Sequence, residues 1–159
     1  MSTSRSLVRV LAAPLVLAAV GLFAAGCVEP PPSGPVECPL GYFSATGTAP
    51  CEPAPMGTFV DTMGATSASP CPPGTYQDLM GQSSCKVAPA GSFVSGLGAA
   101  QATLCPVGTF QGLQAAISCE LAPIGSYVDA PGATAATACP AGTTTLFEGS
   151  TSELDCVSP

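Results

Sequence analysis

Cys71–Leu104 reads CPPGTYQDLMGQSSCKVAPAGSFVSGLGAAQATL, and the equally long stretch that follows, Cys105–Ala138, repeats it as CPVGTFQGLQAAISCELAPIGSYVDAPGATAATA. Each copy also divides in two. The pattern [CA]-P-x-G-[ST]-[FY]-[QV] begins at Ala54, Cys71, Ala88, Cys105 and Ala122, at one constant interval. Cys139 continues it with Thr144 in the aromatic place, and Cys38 opens a slightly shorter first unit, CPLGYFS. A short fixed period implies stacked units rather than one globular core. The expected fold is small, disulfide-rich and mostly irregular with short β-strands. It forms an elongated array of about seven 17-residue units that alternate between a disulfide-clipped and an alanine type.

That alternation bears on the cysteines. Cys71 is followed by Cys85 and Cys105 by Cys119, whereas the same two places hold Ala54 and Ala68, Ala88 and Ala102, and Ala122 and Ala136. Both places change together, as the two halves of a bonded pair would, because a leftover thiol is a liability in an oxidising compartment. The favoured pairing is therefore Cys38–Cys51, Cys71–Cys85, Cys105–Cys119 and Cys139–Cys156. A rival set, Cys51–Cys71, Cys85–Cys105 and Cys119–Cys139, leaves Cys38 and Cys156 to meet across the whole array.

Within a unit, proline at the second place fixes φ and glycine at the fourth supplies a positive φ in a turn. Triplets such as Thr75-Tyr76-Gln77 are the only β-friendly stretches and are expected to form strands of three or four residues. A second glycine (Gly64, Gly81, Gly98, Gly132, Gly149) marks a second turn. A 17-residue unit buries too little apolar area to offset its ordering entropy alone, and disulfides are the usual substitute.

The motif Cys-Pro-x-Gly-Thr-[Tyr/Phe] with a closing cysteine (Cys71, Pro72, Gly74, Thr75, Tyr76 and Cys85; Cys105, Pro106, Gly108, Thr109, Phe110 and Cys119) resembles the ephrin-receptor-like cysteine-rich repeat. That repeat is related in style to tumour-necrosis-factor-receptor modules. The resemblance spans Cys38 to Cys156 and implies extracellular stalks, spacers or ligand-contact modules, with no catalytic residue. The chain departs from it by lacking cysteines in every second unit.

Residues 1–26 read as an export signal: a basic start with Arg5 and Arg9, then an apolar run too short for a membrane span. Its ending, Ala24-Ala25-Gly26-Cys27, resembles a bacterial lipobox, with Ala24 where leucine is most usual. The resemblance implies a lipid-bearing Cys27, and cysteine parity agrees, since nine cysteines leave one over when eight pair. An ordinary signal peptide would instead leave Cys27 a stray thiol. Residues 27–37 then form a lipidated, Pro-rich linker and 38–159 the repeat array. Val28 after the cysteine favours the outer membrane by resemblance to lipoprotein sorting, with the array facing outward; a periplasmic orientation is the alternative.

Composition removes whole classes of function. With the signal gone, Lys86 is the one basic side chain against ten acids, a surface that repels nucleic acid. There is no His, so Ser–His or Cys–His catalysis and His-based zinc sites are absent from the repertoire. There is no Cys-x-x-Cys and no phosphate-binding glycine loop with a lysine. Glu148, Glu153 and Asp155 cluster near the end, but solvated acids are the expected reading. No cofactor or metal and no enzymatic activity are expected. The partners are the membrane, through the lipid, and a protein or glycan ligand. A ladder of rings (Phe43, Phe59, Tyr76, Phe93, Phe110 and Tyr127) either lines a binding face or packs as each unit's small core; the scarcity of other large apolar groups favours the core. Function is accordingly expected to be surface binding, adhesion or reception, with a purely structural envelope or coat spacer as the second reading.

Overall fold

Seven hairpins, each made of very short strands, carry the regular structure of the array. In the computed structural model, residues 34–159 are described. The expected export signal and Cys27 lie outside them, as does most of the expected linker. The pairs are β1 (Tyr42–Phe43) with β2 (Glu52–Pro53), β3 (Thr58–Phe59) with β4 (Ser69–Pro70), and β5 (Thr75–Tyr76) with β6 (Lys86–Val87). They continue as β7 (Ser92–Phe93) with β8 (Thr103–Leu104), β9 (Thr109–Phe110) with β10 (Glu120–Leu121), β11 (Ser126–Tyr127) with β12 (Thr137–Ala138), and β13 (Thr144–Thr145) with β14 (Cys156–Val157). All are antiparallel, and the sixth residue of a unit always faces the residue after the closing position, as Tyr76 faces Lys86. The only helical element among the described residues is a 3-10 turn at Glu153–Asp155, capped by Ser152.

The first turn forms as its residues dictate. Gly74 has φ of 80°, and the Thr75 amide donates to the Pro72 carbonyl at 3.1 Å, a turn whose third residue requires positive φ. The Thr75 hydroxyl donates to the same carbonyl at 2.7 Å, and Thr58, Ser92, Thr109, Ser126 and Thr143 do likewise. That second bond explains the Ser/Thr preference of the fifth place.

The strands are shorter than expected because the seventh residue's amide is committed elsewhere. Gln77 N donates to Ala99 O at 3.0 Å, in the following unit. Three such bonds join each unit to the next. Between the third and fourth units they are Gly74 N to Val94 O, Gln77 N to Ala99 O, and Gly98 N back to Cys71 O. The set recurs at every junction; at the last, Gly125 N donates to the Thr145 hydroxyl instead of a carbonyl.

Units also reach the next but one. A Cβ on Gly41 would collide with the Gly81 carbonyl, on Gly57 with that of Gly98, and on Gly74 with that of Ala115. Gly91 and Gly108 stand in the same relation to Gly132 and Gly149. The hydrogen standing where Cβ would be therefore points at a carbonyl oxygen two units along, a weak Cα–H···O contact. Cysteine-type units thus meet cysteine-type units and alanine types meet alanine types. The structural repeat is a pair of units, the longer of the two periods in the sequence.

The buried core runs through the first and seventh places rather than through the rings. Cys38, Ala54, Cys71, Ala88, Cys105 and Ala122 are fully buried, and so nearly are Val60, Gln77, Val94, Gln111, Val128 and Thr145. Valine fills the seventh place in alanine units, glutamine in the units opened by Cys71 and Cys105, and Thr145 in the last. Gln77 Nε2 donates to Ser84 O at 2.7 Å while its Oε1 accepts from Leu79 N, bracing the loop that carries Cys85; Gln111 does the same with Ser118 and Leu113. The bridges are Cys38–Cys51, Cys71–Cys85, Cys105–Cys119 and Cys139–Cys156, with Cα separations of 5.7–5.8 Å, so the pairing is within units.

Candidate interaction surface

The aromatic ladder occupies the sixth place of each unit, the second residue of its first strand, and in the last unit Thr144 holds that place and opens β13. Phe43, Phe59, Tyr76, Phe93 and Phe110 are half-buried and Tyr127 is buried. Side chains alternate across a strand, so the ring points away from the core-facing seventh residue. The rings are thus partly covered and partly open to solvent, with Tyr127 the most enclosed. Tyr76 opens into a groove of about 570 Å³ shared by three consecutive units, where Met56, Asp78, Pro89, Ser92 and Leu104 complete the walls.

Greater exposure belongs to residues that the sequence reading passed over. The loop between the first strand and the second turn presents Met63, Leu79, Met80, Leu97, Leu113, Leu146 and Phe147, all 53–76% exposed. A Leu or Met at the tip of a loop, where polar residues cost nothing, is the available sequence signal, and it recurs in most units. A second set, Leu40, Met56, Val107 and Ile124, stands at the third place, on the outer corner of the first turn. Scattered exposed apolar residues are ordinary, but a repeated series on a repeated backbone is a surface of one chemistry.

Charge is sparse and arranged across a hairpin. Lys86 Nζ donates to Asp78 Oδ1 at 2.6 Å, both side chains being about half exposed. The hydrogen bond from Lys86 holds the Asp78 carboxyl below its usual pKa, and reciprocally raises that of Lys86. Desolvation raises the pKa of the Tyr127 phenol, and the negative charges of Glu153 and Asp129 add to it. Of the terminal acids, Asp155 is engaged structurally: its Oδ2 accepts from the amides of Thr151 and Ser152 at 3.0 Å. Among the described residues no group of three His, Cys, Asp or Glu is placed to hold a metal ion. Nor is any helix there long and apolar enough to cross a membrane.

Clipped two-strand hairpins with a P-x-G turn, joined in tandem, are what the family described as tyrosine-protein kinase ephrin type A/B receptor-like captures, and its model matches residues 65–105, 91–139 and 108–156. Together these windows cover more than half of the chain. The chain belongs to this family. Each window spans more than two units, so the ephrin-receptor-like repeat takes in both a cysteine-type and an alanine-type unit. No curated protein matches the chain. Ephrin-receptor-like repeats have the character of an extracellular, binding-type module, and four disulfides fit an extracellular or envelope location.

Proposed function

We propose that the protein is a bacterial, lipid-anchored cell-envelope protein whose repeats form a non-catalytic binding module for adhesion or reception at the cell surface. The observation that carries the reading is the series of exposed Leu and Met residues at successive loop tips of an ephrin-receptor-like array. Repeated apolar contacts on a rigid scaffold suit a protein or glycan partner met along several units. Anchoring rests on Ala24-Ala25-Gly26-Cys27, and the non-catalytic reading on the lack of His and of any Cys-x-x-Cys.

A structural spacer is the second reading, favoured by junctions that lock each unit to the next and the next but one. One experiment separates the two. With Cys27 acylated, Lys86 is the chain's single amine. A membrane-impermeant amine reagent on intact cells should label the Lys86 peptide if the array faces outward. Labelling that appears only after lysis would place it in the periplasm and favour the spacer. For anchoring, Cys27→Ser should move the protein from the detergent phase to the aqueous phase; unchanged partitioning would refute the lipid.

A further inference from the structure

One groove on the array gathers polar groups that the matching places of other units lack. The hollow of about 570 Å³ beside Tyr76 lies where the second, third and fourth units meet, a size ordinary for small-ligand sites. Met56, Pro89 and Leu104 join the Tyr76 ring as its apolar wall, and Asp78 and Gln101 add polar groups. Tyr76 stands directly opposite Lys86 in the hairpin, so both side chains leave the same face, and Lys86 Nζ meets Asp78 Oδ1 at 2.6 Å. Among the described residues the Tyr76 hydroxyl, Asp78 Oδ2 and the Gln101 side-chain amide bond to no other residue. The Lys86 ammonium, with three protons, donates only to Asp78.

The repeat supplies its own controls. One pair of units along, Phe110, Gly112, Glu120, Ala135 and Ala138 hold the places of Tyr76, Asp78, Lys86, Gln101 and Leu104. Pro123 and Ser126 meanwhile repeat Pro89 and Ser92, whose hydroxyl-to-carbonyl bond builds the turn in both copies. What the turn needs is therefore repeated, and what offers hydrogen bonds to the hollow is not. The second unit has Phe59 and Asp61 but Ser69 in the lysine place. The sixth has Tyr127 and Asp129, but there the ring is buried and Thr137 stands opposite it.

We infer that this groove binds a neutral hexopyranose unit of a glycan. The inference rests on the surface-binding reading above and gives its ligand a chemical class and a place. A pyranose has an apolar C–H face, which suits the electron-rich face of the Tyr76 ring beside Met56 and Leu104. Its edge is a row of hydroxyls, each both donor and acceptor. The Asp78–Lys86 pair sets a free acceptor oxygen beside free ammonium protons, which two neighbouring hydroxyls complement, and the Gln101 amide offers both kinds of group again. Charged ligands fit less well. Lys86 already neutralises Asp78 towards a cation, and the carboxylate turns away an anion. Met56, Gln101 and Leu104 are exposed, so the groove opens to solvent and the sugar can belong to a longer chain.

The test is an NMR titration of the oxidised full chain, in a detergent that carries no sugar, with the methyl glycosides of glucose, galactose, mannose and N-acetylglucosamine in turn. At least one should shift the Met56 and Leu104 methyl signals and the Gln101 side-chain amide, with a Kd on the order of 1 mM for a single sugar. Asp78→Gly and Gln101→Ala install residues that the array already carries one pair along, at Gly112 and Ala135, so the fold should tolerate them. Each should weaken binding about tenfold. Leu113→Ala, at a loop tip outside the groove, should leave it unchanged. No response to any of the four glycosides overturns the inference, as do shifts confined to loop tips such as Leu79 and Leu113, or binding that survives both groove substitutions. A response to phenylalaninamide or methylguanidinium without one to the glycosides also overturns it, in favour of a peptide side chain. The surface-binding reading survives each of these results and falls instead if the Lys86 label appears only after lysis.

Discussion

Gly74 carries two constraints, and only one was legible in the sequence. Its place in a P-x-G-T turn foretold the positive φ, but the carbonyl of Ala115 against its Cα belongs to the second unit along and leaves no local trace. The two constraints separate by substitution. Gly98 has φ of 71° but ordinary space, with Pro70 Cβ 3.6 Å from where a Cβ would stand. Gly98→Ala should cost ~1–2 kcal/mol, the left-handed penalty alone, whereas Gly74→Ala should cost roughly 3 kcal/mol or more because backbone must also move. Urea midpoints of the oxidised chains check the gap; equal losses would mean the contact two units away contributes nothing. Gln77 was visible in the sequence only as an alternative to valine at the seventh place. Its burial and its bonds to Ser84 and Leu79 explain why a polar residue suits this place in a clipped unit, since the loop it braces carries the closing cysteine. Gln77→Val should destabilise by about 1 kcal/mol, the value of a typical net hydrogen bond, as the freed backbone groups turn to water. A stabilised variant in thermal unfolding would show instead that valine packing outweighs those bonds.

At the scale of the hairpin, the cysteine and alanine units share one backbone, and the pairing was legible because both cysteines change together. Ala88 is as fully buried as Cys71, and its amide donates to Gly74 O just as Cys71 N donates to Gly57 O. Replacing both Cys71 and Cys85 by alanine should therefore keep the fold and remove only the loop constraint, ~3 kcal/mol for a closed loop of this length. Amide exchange should show Ala88 N still protected, with faster opening centred on the third unit; loss of protection along the whole array would contradict that. Strand length was misjudged because a β-friendly triplet says nothing of which neighbour takes its last amide. The hairpin of β5 and β6 also carries the Lys86–Asp78 pair. Asp78 has its pKa lowered in the fold and Lys86 has its raised, so the pair's contribution is fully present between about pH 4 and pH 10. It is lost as pH falls through the depressed Asp78 value or rises through the elevated Lys86 value. Lys86→Met should accordingly differ from the parent by a small, constant amount from about pH 5 to 9 and converge with it near pH 2. A difference that persists in acid would show that the lysine stem, not its charge, is what matters.

For the whole molecule, repeat number, unit boundaries and family were legible because they are written in a period, whereas the contact of each unit with its second neighbour was not. A stack in which units meet only their immediate neighbours would explain a single-unit repeat; the cysteine–alanine alternation needs the longer one. With so few large side chains buried, the array depends on its bridges. Reduction at neutral pH should abolish the cooperative thermal transition, and a reduced chain that still melts sharply would show that the junction hydrogen bonds suffice. The doubled period also governs how such a protein can change length. Excising Cys71–Leu104 joins Pro70 to Cys105 and returns every remaining unit to a neighbour of its own kind. Excising a single unit sets a cysteine type against an alanine type at the two next-but-one contacts that straddle the cut. Lengthening and shortening of this array is therefore arithmetic in even numbers, so natural length variants are expected to differ by whole pairs of units and chimaeras should be cut at the same interval.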